Sequence, residues 1–247
     1  MQSPPLATLI PKIDVLISEI ASMRPLSQWE LRELQKSLRV MEVYNSNAIE
    51  GNTLTLGETR LVIEDGLTIG GKTTREMHEA EGLARAIDAL IAGELVVSED
   101  TILMFHRLIM QGIDDENAGK YRKIQVYISG DDHRPPKASE VAGLMQELMT
   151  WYKKSEKILH PTLLASEFHY RFVKIHPFVD GNGRTARLLS NLILMSHGYP
   201  MIIVPIVRRA DYISSLHSVT GDLDRFQMFY ADIVHENLRD YIRMVSE

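Results

Sequence analysis

A twelve-residue stretch, HPFVDGNGRTAR at positions 176–187, combines a base, a carboxylate, a glycine-rich turn and two arginines. The helical pattern begins at Gly183 or Arg184, which places the Gly181, Asn182 and Gly183 turn at the N-terminus of a helix. Glycines on both sides of an asparagine permit positive φ angles, so successive N–H groups can turn toward one anion, supported by the helix dipole. The turn therefore predicts a phosphate site.

The charged residues of this stretch extend the prediction. Arg184 and Arg187 are three positions apart, so both can reach an anion at the start of the helix, and two arginines suggest more than one phosphate. Asp180 beside phosphates is typical of a Mg²⁺ ligand. His176 can accept a proton near neutral pH and is a candidate general base toward a hydroxyl that attacks a bound phosphate.

Each of these features alone is more often structural than functional. A Gly-Asn-Gly turn before a helix is common, helix N-termini often carry Asp, and Arg pairs often form surface ion pairs. The complete ordered set within twelve residues favours a functional site.

The bulk properties limit the function classes. The chain has 247 residues, 45% apolar and 24% charged, as in an ordinary globular protein. A formal charge of −6 without a run of Lys or Arg argues against a nucleic acid partner. The lack of cysteine fits a reducing compartment, and we find neither a signal peptide nor a stretch of about 20 apolar residues. We therefore expect a cytoplasmic protein without a membrane partner.

Apolar residues recur at helical spacing along most of the chain, so we predict an all-α fold in a single domain. The predicted helices span 12–23, 28–50, 58–64, 74–93, 98–110, 138–154, 161–175, 184–197, 209–219 and 224–244. Residues 119–136 instead alternate β-branched and aromatic residues with polar ones, which predicts a short hairpin or extended flap.

The stretch 176–187 resembles the signature of the Fic family, His-x-Phe-x-Asp/Glu-Gly-Asn-Gly-Arg-x-x-Arg, and every fixed position is met. The resemblance implies transfer of a nucleoside monophosphate, usually AMP from ATP, to a protein hydroxyl. It implies that His176 deprotonates the hydroxyl, Asp180 binds Mg²⁺ and Arg187 reaches the γ-phosphate. The residues implied for the α- and β-phosphates are Gly181, Asn182, Gly183 and Arg184.

The resemblance extends to two flanking segments. KIQVYISGDDHRPP resembles the family's β-hairpin flap, which docks the target, and Ile128, Gly130 and His133 are the implied flap residues. ADYISSL resembles the segment that contributes to the adenine pocket, which makes Tyr212 and Leu216 nucleotide candidates, although a core role fits Leu216 equally well.

A second stretch, NSNAIEGN at 45–52, places Ser46 and Glu50 one turn apart on one helix face. An acid in the last turn of a helix faces the negative end of the dipole, so Glu50 needs a cationic partner unless water solvates it. The stretch resembles the family's inhibitory motif, Ser/Thr-x-x-x-Glu-Gly/Asn. The resemblance implies that Glu50 pairs with Arg187 and misaligns ATP.

Together these features predict an autoinhibited, Mg²⁺-dependent protein adenylyltransferase. The predicted organisation is an N-terminal helical extension, 1–35, and a Fic domain, 36–247, with the inhibitory helix at about 36–51. The expected partners are ATP and a target protein bearing Tyr, Ser or Thr; self-modification and a homodimer stay open. The alternatives are an AMP-removing hydrolase, a transferase of another nucleotide or a phosphocholine-type donor, and a non-catalytic nucleotide sensor. The intact Gly183 disfavours a kinase-like relative.

Overall fold

In a computed structural model of the chain, the described residues are 6–128, 134–217 and 222–246. These ranges contain ten α-helices, α1 to α10 in chain order, and two single turns of 3-10 helix. The α-helices are Leu6–Ser22, Gln28–Ile49, Leu56–Asp65, Thr74–Ile91, Glu99–Met110, Val141–Ser155, Pro161–Ile175, Asn182–Ser196, Arg209–Leu216 and Leu223–Ser246. The 3-10 turns are Ala138–Glu140 and Ile206–Arg208. The all-α prediction is confirmed.

Local capping explains several helix starts. Ser27 accepts a hydrogen bond from the Glu30 N–H, and the Glu30 carboxylate accepts one from the Ser27 N–H. The same reciprocal arrangement joins Thr73 to Glu76 at the start of α4. Each capping box satisfies two N–H groups that the first turn of a helix leaves without partners.

Helices α7 and α8 form the centre of the fold and pack against each other. Most of α8 is buried, and α7 contributes Phe168 and Phe172, both completely buried. Around this pair, α10 and α6 pack on α7, whereas α5, α4 and α2 contact α8. The loop between α7 and α8, residues 176–181, therefore joins the two helices at the buried centre of the fold.

The N-terminal helix differs from the prediction. It begins at Leu6 rather than residue 12 and contains Pro11, which cannot donate a backbone hydrogen bond. Packing against α10 stabilises this helix despite the proline. Helix α2 runs without interruption through residue 35, the predicted boundary of the N-terminal extension, and that division stays a prediction.

No strand is assigned in the described parts of the predicted flap, 119–128 and 134–136, so the hairpin is not seen there. The two arms still lie side by side, because the Gln125 side chain donates a hydrogen bond to the Pro135 carbonyl over 3.0 Å. Within the described parts of the two arms, side-chain hydrogen bonds rather than a strand ladder thus join them. Among the described helices, none is long and apolar enough to span a bilayer.

Candidate active site

The loop that carries His176 is shaped by two left-handed residues. Helix α7 ends at Ile175, and His176 follows with φ 51° and ψ 61°, the only non-glycine residue with positive φ in the described ranges. Gly181 has φ 76° and caps α8 without a side-chain hydrogen bond. The backbone therefore turns sharply at both ends of the loop, and the helix begins at Asn182, slightly earlier than predicted.

Phe178 anchors the loop in the core. It is completely buried, and its ring stacks on His106 with the centroids 3.6 Å apart. The Asn182 side chain accepts a hydrogen bond from the Phe178 N–H and donates one to its carbonyl, each over 3.0 Å. Because its side chain is engaged in this way, Asn182 can offer an anion its backbone N–H.

His106 connects this anchor to the next residue of the loop. Its Nδ1 accepts a hydrogen bond from the Gly119 N–H, so Nε2 carries the proton and donates to the Asp180 carbonyl over 3.0 Å. Burial lowers the pKa of His106 to about 4, which keeps the ring neutral. His106 is therefore a buried, hydrogen-bonded structural residue that contacts the loop.

Arg184 lies under the start of α8 with its donors largely unused. Its side chain is 2% exposed, and its Nε and Nη1 have no hydrogen-bond partner in the described part of the chain. Its Nη2 donates a long hydrogen bond of 3.5 Å to Asp180 Oδ1, and its Nη1 lies 3.6 Å from Glu79 Oε1, which is ion-pair rather than hydrogen-bond distance. Since the first turn also has no side-chain cap, an anion there would meet both backbone and guanidinium donors.

Arg187, also 2% exposed at its side chain, contacts the end of α2. Its Nε donates to the Ser46 hydroxyl over 2.7 Å, and its Nη2 donates to the Ser46 carbonyl and to Glu50 Oε1 over 2.9 and 2.7 Å. Burial would lower the pKa of Arg187, but Tyr212, Glu50 and other neighbours raise it above its ordinary value. The guanidinium therefore stays charged and holds both predicted residues of α2.

The Glu50 carboxylate occupies the space above the glycine turn. A Cβ atom built on Gly183 would overlap Glu50 Oε1, so the carboxylate lies directly against the Gly183 backbone. One turn before Ser46, a second acid of α2, Glu42, is completely buried near Arg187. Burial raises the pKa of Glu42 to about 8, although Arg187 and Ser46 oppose the shift.

Asp180 is half-exposed at the mouth of the site. Its Oδ1 accepts a 2.6 Å hydrogen bond from the Gly181 N–H, and its Oδ2 accepts one of 2.6 Å from Arg75 of α4. Burial would raise the pKa of Asp180, but Arg184, the Gly181 N–H and Arg75 lower it below its ordinary value. The carboxylate is therefore ionised and paired with a cation.

Tyr212 and Leu216 of α9 lie at different depths. The Tyr212 hydroxyl, which is buried, contacts Arg187 Nη1 at 3.2 Å and His169 Nε2 at 2.9 Å, so it lies beneath Arg187. Leu216 is partly buried against the core, and its carbonyl accepts a 2.7 Å hydrogen bond from Lys174. Their roles toward a nucleotide stay predictions. His169 is completely buried in the core, and its Nδ1 lies 3.0 Å from the Ser190 hydroxyl.

The flap residues are only partly described. Ile128 is half-buried at the edge of the described segment, whereas Gly130 and His133 lie outside the described residues. The structure adds three residues that the sequence did not indicate, Arg75, Glu42 and Arg122. Arg75 pairs with Asp180, Glu42 lies near Arg187, and Arg122 of the predicted flap donates to the His176 carbonyl. No local pattern in the sequence marks any of them.

Comparisons with known proteins identify relatives of this chain. A family model described as the Fic/DOC family matches residues 96–194. A protein named Protein adenylyltransferase Fic from Drosophila grimshawi is 38% identical over 222 residues, which is 88% of this chain and 46% of the relative. The structure of Fic-1 from C. elegans superposes with a TM-score of 0.85 at 33% identity, covering 96% of this chain and 71% of that one.

A Fic domain containing signaling protein from Bacteroides thetaiotaomicron is also similar, with a TM-score of 0.86 at 28% identity over 95% of this chain and 97% of that one. The chain spans less than half the length of the curated relatives it matches.

Proposed function

Because the chain belongs to the Fic/DOC family, we propose that it is a protein adenylyltransferase that Glu50 holds inhibited. The observation that carries the proposal is the buried Arg184, whose Nε and Nη1 donors have no hydrogen-bond partner among the described residues beside the uncapped start of α8. Buried donors without partners are costly unless a ligand supplies the acceptors. The phosphates of ATP would supply them.

His176 supports transfer rather than simple binding. It precedes the anion site in the same loop, where a histidine can take the proton of a target Tyr, Ser or Thr hydroxyl. The hydroxyl oxygen forms a bond to the α-phosphorus, the bond from that phosphorus to the bridging oxygen of the β-phosphate breaks, and pyrophosphate leaves. The N–H groups of α8 together with Arg184 and Arg187 would hold the departing phosphates.

The donor set suits Mg²⁺ as the metal. Mg²⁺ in nucleotide sites is typically held by one or two carboxylates together with substrate phosphates, and Asp180 is an ionised, half-exposed carboxylate at the mouth of the anion site. When bound, Mg²⁺ would neutralise phosphate charge. The Arg75 guanidinium already pairs with this carboxylate, so it would have to move or share Asp180 with the ion.

Glu50 supplies the inhibition in this proposal. Its carboxylate pairs with the guanidinium proposed for the γ-phosphate and lies against Gly183, where the phosphates would pass. ATP entering beside it would be displaced from the line of attack, and small displacements from that line cost large factors in rate. Removal of the carboxylate should therefore activate the enzyme without any new contact.

The test incubates Glu50→Ala protein with Mg²⁺ and ATP labelled at the α- or the γ-phosphate, alone and with a cell lysate. We expect covalent α-label on protein, much less of it with the native sequence, and none with Glu50→Ala plus His176→Ala. Covalent γ-label would show a kinase. Neither label, with ATP still bound, would show a sensor or a hydrolase and would overturn the proposal.

A further inference from the structure

Arg122 is a buried cation that the proposed chemistry does not use. Arg122 lies after α5 in the chain, near the start of the predicted flap, 119–136, and it is 2% exposed. Burial lowers the pKa of Arg122, and no charged group in the described part of the chain offsets that effect. Burying an arginine without a carboxylate costs free energy unless its donors are used, so its hydrogen bonds need an explanation.

Among the described residues, every acceptor of the Arg122 side chain is a backbone carbonyl. Its Nε donates to the His176 carbonyl over 2.8 Å, and its own backbone N–H donates to the Pro177 carbonyl over 2.9 Å. Two consecutive carbonyls at the start of the catalytic loop are therefore fixed by one residue. A planar guanidinium holds its acceptors in a defined arrangement, which a lysine cannot reproduce.

These two bonds act where the backbone is strained. His176 has a φ of 51°, and for a side chain other than glycine the left-handed conformation costs on the order of 1 kcal/mol. Such a conformation persists only when the surroundings impose it. The bonds from Arg122 hold the peptide that follows His176, and with it the direction in which the imidazole leaves the backbone.

The two terminal nitrogens of Arg122 donate to the two arms of the predicted flap, 119–128 and 134–136. Its Nη1 donates to the Ile124 carbonyl over 3.0 Å and its Nη2 to the Pro136 carbonyl over 2.6 Å. One guanidinium is thus hydrogen-bonded to both arms of the predicted flap and to the backbone carbonyl of His176, the proposed general base. A displacement of either arm relative to His176 would break at least one of these bonds.

We propose that Arg122 is a positioning residue that couples the predicted flap to His176. It would thereby fix the distance and orientation between a target hydroxyl docked on the flap and the imidazole of His176. The proposal rests on the proposed function for the role of His176. It predicts that Arg122 affects the rate of transfer through the placement of His176 and not through ATP binding, since none of its donors reaches the anion site.

The test compares Arg122→Met, Arg122→Lys and Arg60→Met in the Glu50→Ala background. Arg60 is an exposed arginine of α3 and controls for the loss of a positive charge. Calorimetry gives the affinity for ATP and the number of ATP-binding sites in each variant. The rate of self-modification with α-labelled ATP is then divided by that number of sites. Because misplacement by about 1 Å can cost 100-fold, we expect both Arg122 variants to lose roughly that factor while ATP affinity changes less than about twofold.

Two results would overturn the proposal. A transfer rate per ATP-binding site equal to that of the background would show that Arg122 only stabilises the fold, and a loss of ATP affinity equal to the loss of rate would place it in nucleotide binding. If Arg122→Met does not fold, Arg122→Lys carries the same comparison.

Hydrogen exchange separates this proposal from the proposed function. In Arg122→Met we expect faster exchange in both 122–128 and 176–183, whether or not the protein transfers AMP. Faster exchange in the first segment alone would contradict the coupling. If Glu50→Ala protein gains no α-label but Arg122→Met still speeds exchange in both segments, the adenylyltransferase function is rejected. The structural coupling between Arg122 and the loop of His176 would then still be supported.

Discussion

Removal of the Glu50 carboxylate should tighten ATP binding, because Glu50 would no longer compete with ATP for Arg187. The strength of the ion pair between Glu50 and Arg187 sets the size of this effect. The two groups lie 2.7 Å apart, Arg187 is 2% exposed and Glu50 is 39% exposed at their side chains. Unit charges 4 Å apart near a protein surface interact by about 4 kcal/mol, whereas fully exposed pairs contribute about 0–1 kcal/mol. For a pair with one buried partner we take about 2 kcal/mol, which is roughly 30-fold in affinity.

The assay is calorimetric titration of ATP into protein that also carries His176→Ala, so that no turnover occurs. Glu50→Ala should bind ATP roughly 30-fold more tightly than the parent. Glu50→Gln removes the charge but keeps the overlap above Gly183, so it should gain less than about tenfold. Glu33→Ala, an exposed acid of the same helix that pairs with Lys36 at the surface, should change nothing. Equal ATP affinity in the parent and Glu50→Ala would refute the electrostatic reasoning.

Two further predictions concern the metal site and the buried acid. Arg75→Ala frees Asp180 from an exposed ion pair. In a Mg²⁺ titration of ATP-bound Glu50→Ala protein, it should therefore lower the Mg²⁺ concentration at half-saturation by up to about fivefold. An unchanged or higher concentration would contradict this. Glu42→Gln should stabilise the protein in urea unfolding by about 3–5 kcal/mol at pH 8 and by only about 1 kcal/mol near pH 5. The sign follows because a carboxyl with a pKa raised to about 8 keeps its proton in the folded state while the unfolded state loses it, so native stability falls as the pH rises toward 8. A difference that does not vary with pH would contradict the burial of an acid that keeps its proton.

The helices could be predicted from the sequence because their signals are local. Helix α2 begins at the predicted Gln28, capped by Ser27, and α7 has the predicted bounds 161–175. The start of α1 could not be predicted, since Pro11 argues against a helix and the stabilising contact with α10 comes from the other end of the chain. Tertiary packing decides that case.

Much of the candidate site followed from the order of residues in 176–187 and from the position of Glu50. The predicted Glu50 to Arg187 pair is present at 2.7 Å, although its inhibitory role is still to be tested. The contacts of Arg75 with Asp180 and of Arg122 with His176 join residues 105 and 54 positions apart. Neither arginine lies in a pattern that differs from an ordinary surface arginine, so only the folded arrangement identifies them.

The most direct test of the central claim measures two products in one reaction, pyrophosphate released and AMP bound covalently to protein. Glu50→Ala protein with Mg²⁺ and ATP should yield one pyrophosphate for each protein-bound AMP, because a single bond at the α-phosphorus is exchanged. The same protein with His176→Ala should yield neither product while it still binds ATP. Release of phosphate or pyrophosphate without protein-bound AMP, or transfer that persists without His176, would contradict the claim.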